Sequence, residues 1–108
     1  MVRIWRVPIS KLDRQHLLGE HVELHTIVGA IIRGSGGYSR HSETLKYKDH
    51  LGMLYARHAQ QVAEMNRRGY NHRSPLLDYE HQPEPFAYTP EDSASDLKTL
   101  LERQEVKV

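Results

Sequence analysis

"DRQHLLGEHVELH", residues 13–25, decides how the rest of the chain is read. Laid out at about 100° per residue, the helix it belongs to brings Leu12, Leu17, Leu24, Ile27, Val28 and Ile31 into one arc of about 160°. That arc is a core face. Glu20 stands in its middle, and His16 and Glu23 lie between Leu12 and Ile27 near its edge, so ionisable groups enter a surface that should be dry. His21 and His25 fall outside the arc.

Ser10 is placed to cap this first helix, which is expected to run from about Lys11 to Ile32 and to end in the glycine-rich "RGSGGYS". A second helix is expected from Ser42 to "MNRRGYN", with Gly69 as the residue that turns the chain out of it. Its apolar stripe of Tyr47, Leu51, Leu54, Val62 and Met65 carries His58 near the centre. "SPLLDYEHQPEPFAYTP" is a proline-rich irregular crossing. After it, Thr89-Pro90-Glu91-Asp92 supplies a cap, a first-turn proline and first-turn acids for a third helix, Pro90 to about Gln104, amphipathic through Leu97, Leu100 and Leu101. At the other end Pro8 forbids an early helix in "MVRIWRVPIS", yet Val2, Ile4, Trp5 and Val7 are too apolar for a tail in water. The pattern gives an all-α domain spanning 1–108, with three main helices, an irregular packed N-terminal arm and no internal repeat.

With 108 residues and 12.6 kDa the chain has room for one core. It has no cysteine, which excludes disulfides and thiolate metal sites and fits a cytoplasmic protein. No apolar run approaches the roughly 18 residues of a membrane span, and the first residues lack the apolar stretch of a secretory signal, so a soluble protein with no membrane partner is expected. The net charge of +1 hides an asymmetry. Residues 1–74 hold 12 Lys/Arg against 6 Asp/Glu, a balance of +6, and residues 75–108 hold 3 against 8, a balance of −5. A basic body of this kind suits a polyanion, provided the acidic tail folds away from the basic face.

Each ionisable group has a plain and a chemical reading. Glu20 and His58, central in two apolar stripes, are expected to satisfy one another across the helix interface. His16 and Glu23, at the margin, are either partly exposed without a role or placed where a carboxylate can do acid–base work. His21 and His25 have the i, i+4 spacing of two metal ligands, but Val22 stands where the catalytic zinc signature sets Glu, and Glu23 lies on another face; they read as two solvated histidines, and no metal and no cofactor are expected. "GSGG" lacks the strand before it and the Lys-Ser/Thr after it that a phosphate loop needs, and is a connector.

"MVRI", "LDRQHLLGEHVEL" followed by Gly29-Ala30, "RRGYN" and "YTPEDSASDLKTLLER" together resemble the pyrimidine-dimer DNA glycosylases of the endonuclease V type found in phages and bacteria. Gln15, His16, Glu20 and Glu23 fall in that family's register without a gap. The resemblance implies a three-helix fold with the arm threaded between the first two helices, and double-stranded DNA with damaged pyrimidines as the partner. It implies a glycosylase with associated lyase activity, whose nucleophile is the α-amine of the residue after the initiator methionine, here Val2. Such an amine has a pKa near 8 and a usable neutral fraction, whereas lysine at about 10.4 must first be depressed. By the same resemblance Glu23 is the catalytic carboxylate, His16 a helper, and Arg3 and Gln15 hold the DNA. Lys11 and Arg14 extend that basic face. Val22 and Thr26 stand where the phage enzymes carry phosphate-reaching arginines. A module that kept the scaffold as a non-catalytic DNA- or partner-binding protein is the rival reading, and a His/Glu metal hydrolase built on His16, Glu20, Glu23 and His58 is a third.

Overall fold

In the computed structural model, which describes residues 3–34, 36–37, 39–72, 75–76 and 79–105, the described residues form helices and no strand. A single 3-10 turn, Ile9–Lys11, precedes α1 (Arg14–Arg33), α2 (Ser42–Tyr47), α3 (Leu51–Arg67) and α4 (Pro90–Glu105). The all-α class stands, and the Cα radius of gyration of 13.7 Å is close to the roughly 13 Å of a compact globule of this length.

Two boundaries differ from expectation. Ser10 belongs to the 3-10 turn and does not cap α1. Leu12 is extended, which turns its side chain into the core, and Asp13 becomes the N-cap, its Oδ1 accepting from the His16 backbone N–H at 2.9 Å. The second helix is two helices, because the chain leaves helical geometry at His50 (φ −133°, ψ 43°). The break accommodates the proline-rich crossing: a Cβ on Gly52 would lie 2.0 Å from the Gln82 carbonyl oxygen, and His50 Nδ1 meets Glu84 Oε2 at 2.9 Å. The exits from α1 and α3 follow the glycine rule, with Gly34 at φ 74° and Gly69 at φ 81°. At α4, Thr89 Oγ1 accepts from the Asp92 N–H at 3.1 Å, as its cap sequence requires.

The apolar arm is the part that shapes everything else. Ile4 packs with Leu24, Ile27, Val28, Tyr47, Leu54 and Phe86, while Trp5 and Val7 pack with Leu12, Leu17, Met65 and Leu100. Burying this stretch strips water from its peptide groups, and no neighbouring strand replaces it. Side chains do so instead. The N–H of Ile4 donates to Glu43 Oε2 on α2 at 3.1 Å, that of Trp5 to Glu20 Oε2 on α1 at 2.9 Å, and that of Arg6 to Asp96 Oδ2 on α4 at 2.9 Å. Arg57 on α3 donates to the carbonyls of Trp5 at 2.7 Å and Val7 at 2.9 Å.

Glu20 and Arg57 form the hub of this lattice. Arg57 Nε meets Glu20 Oε1 at 2.6 Å with side chains 1% and 0% exposed, and Gln61 Nε2 donates to the same oxygen at 2.9 Å. The expected Glu20–His58 pair is therefore not made: every lone pair Glu20 offers is directed to Trp5, Arg57 or Gln61. The guanidinium wins because it can bind a carboxylate and two carbonyls at once through its fixed fork, which an imidazole cannot. Nor does the acidic tail fold away from the basic body. Asp96, 4% exposed, receives Arg6 at 2.9 Å and lies 3.8 Å from Arg3, and Asp92 takes a further Arg6 nitrogen at 3.1 Å.

Replacing Glu20 by alanine leaves Arg57 charged, buried and short of its main partner. Urea unfolding of Glu20→Ala should show a loss of about 3–5 kcal/mol, the scale for breaking a buried ion pair from one side. A change within a few tenths would show that the arm is held by apolar packing alone.

Candidate functional site

α1 carries one face to the core and, beside it, a polar strip of Gln15, His16, Gly19 and Glu23. Together with Arg3 and Trp5 of the arm, Glu20, and Arg103 of α4, that strip lines a cleft of about 240 Å³. The cleft thus gathers four of the expected site residues, Arg3, Gln15, His16 and Glu23. Arg14 lies on a more open neighbouring groove of about 370 Å³ with Asp13, Gln15 and Leu18. Lys11 is exposed in the 3-10 turn and lines neither. Val2 lies outside the described residues.

His16 is held from behind. Its ring Nδ1–H donates to Asp13 Oδ1 at 2.8 Å, the atom that also caps the helix. Asp13 is itself located by α4, its N–H donating to Gln104 Oε1 at 2.9 Å. The His16 ring stands edge-on to Trp5 with centroids 5.8 Å apart. Two guanidinium groups flank the same indole, Arg3 at 4.9 Å from its centroid and Arg103 at 5.6 Å. Chemically the cleft offers cations at its rim, suited to phosphate, and a half-buried carboxylate, Glu23, suited to stabilising positive charge.

Arg103 and Trp5 were not foreseen as lining residues. Trp5 reads as core from sequence, and it is core, but it also lines the cleft. Arg103 sits in a helix that appears only amphipathic, and nothing in its neighbours signals that α4 folds back to the start of the chain. At the two positions where the resemblance leads one to expect phosphate-reaching arginines, Val22 is 61% exposed, and the Thr26 hydroxyl donates to the Val22 carbonyl at 3.1 Å.

His21 and His25 are corrected most plainly. His21 is buried and His25 half-buried, because α3 covers the side of α1 that lies about 20° (His21) to 60° (His25) beyond Val28 on the helical wheel. Burial lowers the His21 pKa from its usual 6.5, the Gln61 bond opposing this only in part. Among the described residues, His21, His25 and His58 are the group able to hold a metal ion.

A family model described as pyrimidine dimer DNA glycosylase matches residues 2–78, well over half the chain, and the protein belongs to that family. The match ends before α4, so Asp96, Arg103 and Gln104 lie outside the matched segment. In comparisons with curated proteins and with solved structures, nothing matches.

Three variants, two at Gly19 in the cleft and one at Asp96, have expected outcomes. A Cβ on Gly19 would meet nothing within 4 Å, so Gly19→Ala should stabilise by about 0.5–1 kcal/mol in urea unfolding through helix propensity, whereas Gly19→Gln fills the cleft and should weaken DNA binding without lowering stability. A destabilised Gly19→Ala would contradict the open floor. At Asp96 burial acts to raise the pKa, but the Arg6 side-chain and backbone bonds and the charges of Arg6 and Arg3 outweigh it and hold the group below its usual 3.8. A depressed carboxyl gives stability that is complete above its unfolded pKa and is lost as pH falls through the folded one, so acid unfolding should steepen below about pH 4 and Asp96→Asn should flatten that limb. An acid limb unchanged in Asp96→Asn would remove Asp96 from this role.

Proposed function

We propose that this member of the pyrimidine dimer DNA glycosylase family removes a damaged pyrimidine and then cuts the strand as a lyase, with the Val2 α-amine as nucleophile and Glu23 as its carboxylate. The reading rests on one observation above all: Glu23, His16 and Gln15 share a cleft with Arg3, the residue that follows Val2 in the chain.

The amine attacks C1′ of the damaged nucleotide, the glycosidic bond breaks with its electron pair leaving on the base, and the sugar ring opens to an imine. Loss of a C2′ proton then expels the 3′ phosphate by β-elimination, and water releases the sugar. Glu23 faces the positive charge that develops on the sugar and is suited to move the C2′ proton. His16, with Nδ1–H committed to Asp13, presents Nε2 as a further proton acceptor. The amine can act only if Val2 is terminal, which requires that Met1 be removed. Arg3, Gln15, Lys11 and Arg14 make the backbone contacts in this reading, joined by Arg103, and they replace the phosphate contacts that Val22 and Thr26 cannot make. A base must leave the stack to bring C1′ to the amine, and a dimer is already poorly stacked, so the cost of flipping favours the lesion.

Borohydride should trap a covalent adduct on duplex DNA containing a pyrimidine dimer, mapped to the N-terminal peptide. Acetylating the amine should abolish trapping and leave DNA binding that weakens steeply with salt, each lost phosphate contact lowering the log–log slope by about one. Glu23→Gln keeps the shape and should cost strand cutting on the order of 10²-fold. An adduct on a lysine, or full activity with Met1 retained, would move the nucleophile elsewhere. Salt-dependent binding with no adduct at all would favour the non-catalytic module.

A further inference from the structure

About 170° round α1 from His16 and Glu23, on the side packed against α3, four imidazoles meet. The His21 ring centroid lies 4.6 Å from that of His25, 5.0 Å from that of His58 and 5.0 Å from that of His72. His25 and His58 are 5.3 Å apart, and His58 and His72 5.4 Å. One nitrogen from each of His21, His25 and His58 lies within 4.8 Å of the others. We propose that His21, His25 and His58 form a binding site for a divalent ion of the zinc class, with His72 beside the fourth coordination position.

The tautomer of His21 is fixed by a relay running back to the fold's hub. Glu20 can only accept, so the Gln61 amide turns its NH₂ to Glu20 Oε1, at 2.9 Å, and its oxygen to His21 Nδ1, at 2.9 Å. His21 Nδ1 therefore carries the hydrogen. Its Nε2 is left with a lone pair that is buried and meets no hydrogen-bond partner among the described residues. A metal ligand has this state: neutral imidazole, one nitrogen donating to an oriented acceptor and the other bare.

The ligand set also selects the metal. It is all imidazole nitrogen, with no thiolate in the chain and no carboxylate among the three, which suits Zn²⁺, Cu²⁺ or Ni²⁺ and not Ca²⁺ or Mg²⁺. Tetrahedral zinc at about 2.0–2.1 Å needs nitrogens about 3.4 Å apart, so the three, now within 4.8 Å of one another, would close by at most about 1.4 Å on binding. Because His21 and His25 come from α1 and His58 from α3, the ion would tie these helices together behind the cleft, in a protein that has no disulfide to do so. The site stands apart from the proposed strand-cutting chemistry and does not depend on it.

Tag-free protein stripped by a chelator and titrated with Zn²⁺ by calorimetry should bind one equivalent, and its thermal midpoint should rise with zinc concentration by mass action. His25→Gln and His58→Gln should each weaken binding by at least about 10-fold, and the pair together should remove it, while His50→Gln with His81→Gln changes nothing. X-ray absorption of the wild-type zinc complex should show at least three imidazole nitrogens, a readout that does not need the variants to fold. Failure to bind one equivalent, retention of binding in the His25→Gln/His58→Gln protein, or a zinc shell with fewer than three imidazoles would overturn the proposal.

Discussion

An apolar arm buried without a strand partner is the constraint on which this structure depends. A buried peptide group must be hydrogen-bonded, and a β-sheet would have supplied those bonds from backbone. Here they come from ionised or strongly polar side chains, one set from each of the four helices: Glu20 from α1, Glu43 from α2, Arg57 from α3 and Asp96 from α4. Because each bond is charge-assisted, it is stronger than a neutral one. Because each comes from a different helix, the arm fixes the helices relative to one another as much as they fix the arm.

The buried Glu20–Arg57 pair need not add net stability over an apolar pair of equal volume. What it adds is register, since only one threading of the arm matches both the Trp5 N–H to Glu20 and the Trp5 and Val7 carbonyls to Arg57. Register is what a terminal nucleophile would need. A chain end is ordinarily the least ordered part of a domain, and an arm clamped from residue 4 onward brings Arg3 to the same cleft as Glu23. α4 completes the arrangement from the far end of the chain, with Asp96 on Arg6, Gln104 on Asp13, and Arg103 over Trp5.

Much of this was legible in the sequence where the signal is local. The packed arm followed from Ile4, Trp5 and Val7, the helix ends from glycines, and α4 from its Thr-Pro-Glu-Asp opening. Glu20's place in the core was legible too, but its partner was not. Arg57 falls about 60° outside the apolar stripe on the helical wheel, and arginine ordinarily marks the solvated side of a helix, so the sequence points to the neighbouring His58 instead. The tail's acids were read by net charge, which carries no information on which arginines they will meet. The histidines show the limit of motif reading: the spacing of His21 and His25 was visible, but their companions His58 and His72 come from a different helix and the chain that follows it. The α2–α3 break depends on the close approach of Gln82 to Gly52, a contact between segments 30 residues apart in the chain.

Amide hydrogen exchange of Ile4, Trp5 and Arg6 tests the clamped arm most directly. These three N–H groups point at Glu43, Glu20 and Asp96 and at no backbone acceptor. If the arm is part of the folded unit, they should exchange only on global unfolding, with protection equal to that of the Leu24 and Ile27 amides in the middle of α1. Exchange of all three at rates near those of an unstructured peptide, while α1 stays protected, would show that the arm is not locked by these side chains.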